Sequence, residues 1–269
     1  MSFIIAISNR GCVVLLAIDV GNSNIAFGVN EGGKWLDRWR IRTAPDKMPD
    51  EYSVLFRSLL GTANVEMRSI DRFVLSSVVP SLTGTIGTMI TRETGEQPLV
   101  VGLGIELGIR LRTDNPGEVG TDLLANAVAA FERFKQSCIV VDFGTALTFT
   151  AVDAQAELVG VTIAPGLRYA VQALAEHTAQ LPQVQLVAPP TAIGRNTIHA
   201  IQAGVIYGYV GLVESLIDRI GRELRGDTKV VAIGGQSQVI APLTKKFDLI
   251  EPWLTLEGLR IVADKNEKP

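Results

Sequence analysis

Three aspartates stand where their neighbours could put them to chemical use. Asp19 closes the apolar run of LLAIDVGNSNIAFGV (residues 15–29) and Asp142 that of CIVVDFGTALTFTAV (residues 138–152). In both, Asp-x-Gly and a small polar residue separate two apolar runs rich in β-branched residues, which reads as a β-hairpin bent at glycine. Gly21 and Gly144 let the backbone approach a phosphate closely, and the N–H groups of Asn22, Ser23, Thr145 and Ala146 can point at its oxygens. A carboxylate at the strand end can hold a cation, or its water shell, beside those oxygens. One Asp-x-Gly is usually an ordinary turn; its recurrence after a second buried-type strand favours a nucleotide. The third carboxylate, Asp122, lies in Gly-Thr-Asp at a helix start. It can cap the helix, which spacing alone slightly favours, or accept a proton from a substrate hydroxyl. Phosphoryl transfer needs positioning and charge neutralisation more than covalent help, so such a base, a cation and a phosphate cradle suffice.

Other chemistries find little support. His177 and His199 are flanked by helical sequence and have no partner at metal-ligand spacing. No GxSxG elbow, P-loop or GxGxxG turn occurs. Cys12 and Cys138 both lie in apolar, strand-like surroundings and form neither a disulfide framework nor a zinc-ligand set; they read as buried thiols in a reducing cytosol. The net charge is −3 and the basic residues are scattered, so a small partner is expected, with no nucleic-acid footprint.

The elements that must position these residues follow the repeat. The 269 residues divide into two similar halves, 15–134 and 138–263, each opened by one hairpin. In the first, residues 34–43 add a third strand, Asp50 caps a helix to about Leu60, and the strand 72–79, the helix 81–92 and the strand 98–101 follow βαβ grammar. A short strand at 109–112 precedes the helix 122–134. In the second half a strand at 157–163 turns at Pro165 and Gly166 into a helix at 169–178. A long helix runs from Arg195 to about Leu224, then a strand at 229–233, helices at 236–246 and 256–263, and a fraying tail from Asp264. The long helix carries Ala200, Gly204, Gly208 and Gly211 on one face, which suits close packing on either the parent sheet or a second subunit. Its most apolar part, 200–217, is interrupted by Gln202, Glu214 and Ser215, so no membrane span is expected. Residues 1–13 do not read as a signal peptide; a short extension, an extra edge strand and an upstream start codon all remain open.

In order along the chain, DVGNSN (19–24), SSVVPSL (76–82), DNPGEVGTD (114–122), DFGTALT (142–148), IAPGL (163–167), AIGRNT (192–197) and LTLEGLR (254–260) resemble the type III pantothenate kinases. The resemblance implies an α/β, duplicated actin-like (ribonuclease H-like) two-domain fold, with mixed sheets flanked by helices. It implies a cytoplasmic homodimer that phosphorylates pantothenate with ATP in the first step of coenzyme A synthesis, using Mg2+ and a monovalent cation, K+ or NH4+. Carried over by motif, Asp19, Val20, Gly21, Asn22, Ser23, Asn24, Ile25 and Ala26 are similar to the first ATP phosphate loop, with Asp19 near Mg2+. Thr145 is similar to an ATP contact and Asp142 to the monovalent-cation ligand. Asp122 corresponds to the proton acceptor, Gly120, Thr121, Asp122 and Leu123 to the pantothenate loop, and Thr197 to a substrate contact near the dimer interface.

This sequence departs from the family pattern at three places. Leu123 replaces the arginine of Gly-x-Asp-Arg, Thr113 replaces an aromatic at the substrate site, and Gly160-Val161 stands for Gly-Gly. The first removes a guanidinium able to pair with a carboxylate, and Arg112 or Arg168 is expected to compensate. A non-catalytic nucleotide-binding regulator and a related kinase of another small hydroxy acid are the alternative functions.

Overall fold

The computed structural model describes residues 13–267, so the readings of Cys12 and of the first twelve residues lie outside it. The first hairpin is β1 (Val14–Val20) and β2 (Asn24–Glu31), and β3 (Lys34–Arg42) extends it as an antiparallel meander. On the other side of β1, β4 (Arg72–Ser77) and β5 (Leu99–Val100) add in parallel, giving the order β3-β2-β1-β4-β5. The parallel steps are made through α1 (Pro49–Thr62) and α2 (Pro80–Thr94), which pack on each other. Both start with proline, whose missing N–H costs nothing at a first helical position. Leu16, Ile18, Phe27, Phe56, Leu75 and Ile86 are fully buried in the core of this sheet, with the Phe27 and Phe56 rings stacked at 4.1 Å. Each such side chain contributes roughly 1.5–3 kcal/mol of burial.

The second sheet uses β6 (Arg110–Leu111), β7 (Cys138–Phe143), β8 (Ala146–Val152), β9 (Glu157–Pro165), β10 (Lys229–Ile233) and β11 (Leu249–Ile250). Taken from the third strand of its meander, β9-β8-β7-β10-β11 repeats the order and directions of the first sheet, with β6 added outside β9. The helices are α3 (Thr121–Phe134), α4 (Leu167–Glu176), α5 (Thr197–Leu224), α6 (Ser237–Ile240) and α7 (Leu254–Lys265). Buried Ile206, Val213 and Ile217 join α5 to the core of the second sheet. By length and composition α5 could cross a membrane, contrary to the reading of 200–217, yet one face of it is packed on β7 and β8.

Contacts divide the chain into one unit of residues 1–108, 117–129 and 255–269 and another of 109–116 and 130–254. These differ from the linear halves 15–134 and 138–263 for two physical reasons. The short β6 pairs with β9, where Arg110 and Arg112 reach Glu157 at 2.9 and 3.0 Å. Helix α7 returns to the first unit, where Glu257 accepts the Trp35 indole N–H at 3.0 Å and Gly258 packs against the Ala125 backbone.

Several local expectations are corrected. Asp50 lies inside the first turn of α1; the cap position is Met48, whose N–H donates to Glu51 at 2.9 Å. The helix expected at 236–246 is only α6 and a 3-10 turn at Ala241–Leu243, because Pro242 cannot continue the hydrogen-bond ladder. The tail from Asp264 does not fray at its start: Arg260 holds Asp264 at 2.6 Å, and Asn266 exchanges hydrogen bonds with the Glu106 backbone.

Candidate active site

In the first unit, the hairpin turn is built by its neighbours. The Gly21 N–H donates to the Asn24 carbonyl at 3.0 Å, and Thr43, just past the end of β3, donates its hydroxyl to the Gly21 carbonyl at 2.7 Å. The Thr43 N–H donates to the Ser23 carbonyl at 3.1 Å. Asn22, Ser23 and Asn24 are exposed at the tip, Asp19 and Gly21 half-buried, and Val20, Ile25 and Ala26 buried beneath. A tip clamped from two strands and open to solvent is suited to receiving phosphate oxygens.

Beside it, β4 carries the start of α3. Asp19 and Ser76 are paired residues of β1 and β4, and Ser76 Oγ lies 2.9 Å from Thr121 Oγ1. Thr121 Oγ1 also accepts the Ser77 N–H at 3.1 Å. Helix α3 opens with the Leu124 N–H donating to the Gly120 carbonyl, so Asp122 sits inside the first turn and is not the cap. Its Oδ1 accepts the Leu123 N–H at 2.8 Å. Burial pushes the Asp122 carboxyl above the usual aspartate range, and backbone hydrogen bonds only partly offset it. A carboxylate so placed is a better proton acceptor than a solvated one. Among the expected site residues, the structure therefore brings together Asp19 to Ala26 and Gly120 to Leu123 in a single unit.

The second unit repeats the hairpin. The Gly144 N–H donates to the Ala146 carbonyl at 3.1 Å, Thr145 is exposed, and Asp142 is half-buried. Close approach shapes this turn. A Cβ on Gly234 would stand 2.6 Å from Asp142 Oδ1, and one on Gly166 would collide with the Thr145 carbonyl. Asp142 pairs across the ladder with Thr148, whose buried Oγ1 has no hydrogen-bond partner among the described residues. Thr113 also buries its Oγ1 without a partner among them. Thr197 is exposed at the first turn of α5, where Asn196 caps the helix by accepting the His199 N–H at 2.9 Å. Of the two arginines expected to compensate for Leu123, Arg112 is engaged by Glu157, whereas Arg168 is exposed and makes no ion pair among the described residues.

The sequence reading gave no site role to Ser76, Thr43, Gly166 or Gly234. Ser76 had a signal, since serines inside the otherwise apolar RFVLSSVV need a polar partner. Thr43 and the glycines gain their meaning only from strand neighbours distant in sequence.

The family model of the type III pantothenate kinases matches residues 15–219. A type III pantothenate kinase of Moorella thermoacetica is 45% identical over 253 residues, covering 94% of this chain and 100% of its own. Among solved structures, component A of the (R)-2-hydroxyglutaryl-CoA dehydratase of Acidaminococcus fermentans superposes with a TM-score of 0.54 at 13% identity, over 93% of this chain and 96% of its own. The inorganic polyphosphate/ATP-glucomannokinase of Arthrobacter sp. strain KM gives 0.51 at 13% identity, over 95% and 100%. The shared architecture is the duplicated actin-like fold.

Proposed function

Because the chain belongs to the type III pantothenate kinase family, we propose that it transfers the γ-phosphoryl group of ATP to the primary hydroxyl of pantothenate, with Asp122 as the base. The observation that carries this reading is the Asp122 carboxylate, half-buried at the start of α3 in the unit that holds the Asp19 hairpin. Asp122 orients the hydroxyl and takes its proton as the oxygen attacks phosphorus in line, which frees ADP and leaves 4'-phosphopantothenate. The turn at residues 19–26 and Thr145 bind the ATP phosphates. Thr113, Gly120, Thr121, Leu123 and Thr197 line the pantothenate side, with Arg168 supplying the guanidinium that Leu123 lacks.

The donors suit hard cations. Asp142 and the Thr148 hydroxyl, which has no partner among the described residues, would offer oxygen to K+ or NH4+, and Asp19 would hold Mg2+ or its water shell. Mg2+ supplies neutralisation of the phosphate charge when bound. A homodimer through α5 is supported by Gly204, Gly208 and Gly211, which are exposed and, among the described residues, would find nothing within 4 Å of an added Cβ. A cytoplasmic location agrees with the buried free thiol of Cys138, its pKa pushed up to about 12 by burial. Fractionation should recover the protein in the soluble fraction, with neither nucleic acid nor membrane.

The test is ADP release by the purified protein with ATP, Mg2+ and K+, with and without pantothenate, beside Asp122→Ala. Pantothenate-dependent release that falls about 10²- to 10⁴-fold in the variant is expected. Bound ATP with no release would favour the regulator, and release only with another hydroxy acid would favour a different acceptor.

A further inference from the structure

We propose that Ser76 is a positioning residue for Asp122: its hydroxyl, bonded to that of Thr121, fastens the first turn of α3 to β4 beside Asp19. The inference rests on the kinase reading above. Ser76 is fully buried near the end of β4, directly after the three buried apolar residues Phe73, Val74 and Leu75. A buried hydroxyl is tolerated only with a partner, and here the partner is Thr121 Oγ1 at 2.9 Å. The adjacent Ser77 N–H donates to the same oxygen at 3.1 Å, so the Thr121 side chain is bound twice by the end of β4. Ser77's own hydroxyl is spent locally on the Val79 backbone, which leaves Ser76 as the side chain that reaches α3.

The fold itself does not require a hydroxyl there. In the second sheet the residue paired with Asp142, as Ser76 is paired with Asp19, is the apolar Ile233. The same strand order therefore forms with an aliphatic side chain at that place. What distinguishes the first sheet is the residue that follows Thr121, namely Asp122. Farther along α3 the helix is held independently, by Thr255 donating to Asn126 at 2.8 Å and by Gly258 against Ala125. Removing the Ser76 bond thus loosens the turn that carries the carboxylate while the rest of α3 stays anchored.

The experiment compares wild type, Ser76→Ala, Thr121→Val and Thr121→Ser for kcat, for KM toward ATP and pantothenate, and for thermal unfolding. Ser76→Ala and Thr121→Val should lower kcat about 10- to 100-fold with the KM for ATP within about twofold, because a displacement near 1 Å is that damaging to an aligned proton acceptor. Thr121→Ser keeps the hydroxyl and should restore most of the turnover lost in Thr121→Val. If Ser76→Ala does not fold, the Thr121 pair carries the test alone. Wild-type kcat in Thr121→Val, or Thr121→Ser as impaired as Thr121→Val, would overturn the role of the hydroxyl pair. A wild-type protein without pantothenate-dependent ADP release would overturn the kinase reading, and this inference with it, before any variant is compared.

Discussion

Gly120 makes room for Asp122: a Cβ at position 120 would stand 2.5 Å from Asp122 Oδ1. The carboxylate curls back over the glycine to accept the Leu123 N–H, so an added methyl must push it away. Gly120→Ala is expected to lower kcat about 10²-fold while ATP binding is retained. Steady-state kinetics with an ATP titration would check this, and full turnover would mean that the carboxylate has a second working position.

The pH dependence of turnover follows from burial. Asp122 must be ionised to accept a proton, and burial holds its pKa above the ordinary value. The acidic limb of the kcat profile should accordingly lie at higher pH than an exposed aspartate would give. Linkage fixes the sign for stability: with the folded pKa raised, Asp122 favours the folded state below the unfolded value, about 3.9, and that contribution is lost as pH rises through the folded pKa. Asp122→Asn should therefore raise Tm at neutral pH and not at low pH, measured by calorimetry at both. An equal shift at the two pH values would contradict the assignment.

Two glycines in helices should respond in opposite directions. A Cβ on Gly258 of α7 would collide with the Ala125 carbonyl, so Gly258→Ala is expected to cost about 1–3 kcal/mol through forced displacement of α7 from α3. Among the described residues nothing lies within 4 Å of a Cβ on Gly221 of α5, where Gly221→Ala should gain about 0.4–1 kcal/mol by restricting the unfolded chain. Denaturant unfolding of both variants reads the contrast directly.

Arg168 and Arg112 can be separated kinetically. Arg168→Ala should raise the KM for pantothenate about tenfold, the loss expected for one charge-assisted pair, and leave the KM for ATP alone. Arg112, already engaged by Glu157, should show no such change. Equal pantothenate KM values in wild type and both variants would remove arginine compensation from the account.

The glycine face of α5 is the place to test assembly. Gly208→Leu puts a large side chain on an open stripe where, among the described residues, nothing lies within 4 Å of an added Cβ. Sedimentation should find a dimer in the wild type and a shift toward monomer in the variant; an unchanged dimer would put the interface elsewhere.

The hairpins were legible in the sequence because Asp-x-Gly, β-branched runs and a repeat are all local signals, and β1–β2 and β7–β8 follow them closely. The candidate residues of the first unit were legible as motifs, but not their connection. That Ser76 reaches Thr121 depends on the pairing of β1 with β4, across more than fifty residues. The placement of β6 was hidden for the same reason, since two residues give no periodicity and their pairing with β9, beside the Glu157 ion pairs, joins segments more than forty residues apart. The spacing of glycines in α5 revealed a stripe, whereas whether that stripe is covered or open depends on how the helix packs in the fold.

The chain passes between its units at 108/109, 116/117, 129/130 and 254/255. As a result, no single cut yields two pieces that each contain a whole unit. A fragment ending before Thr255 would keep Asp19, Asp122 and both hairpins, yet it would strip α7 from Ala125 and leave Asn126 without the Thr255 hydroxyl. Helix α7 is therefore a buttress for the helix bearing Asp122, supplied from much later in the chain. Synthesis must reach it before the helix bearing Asp122 is fully braced.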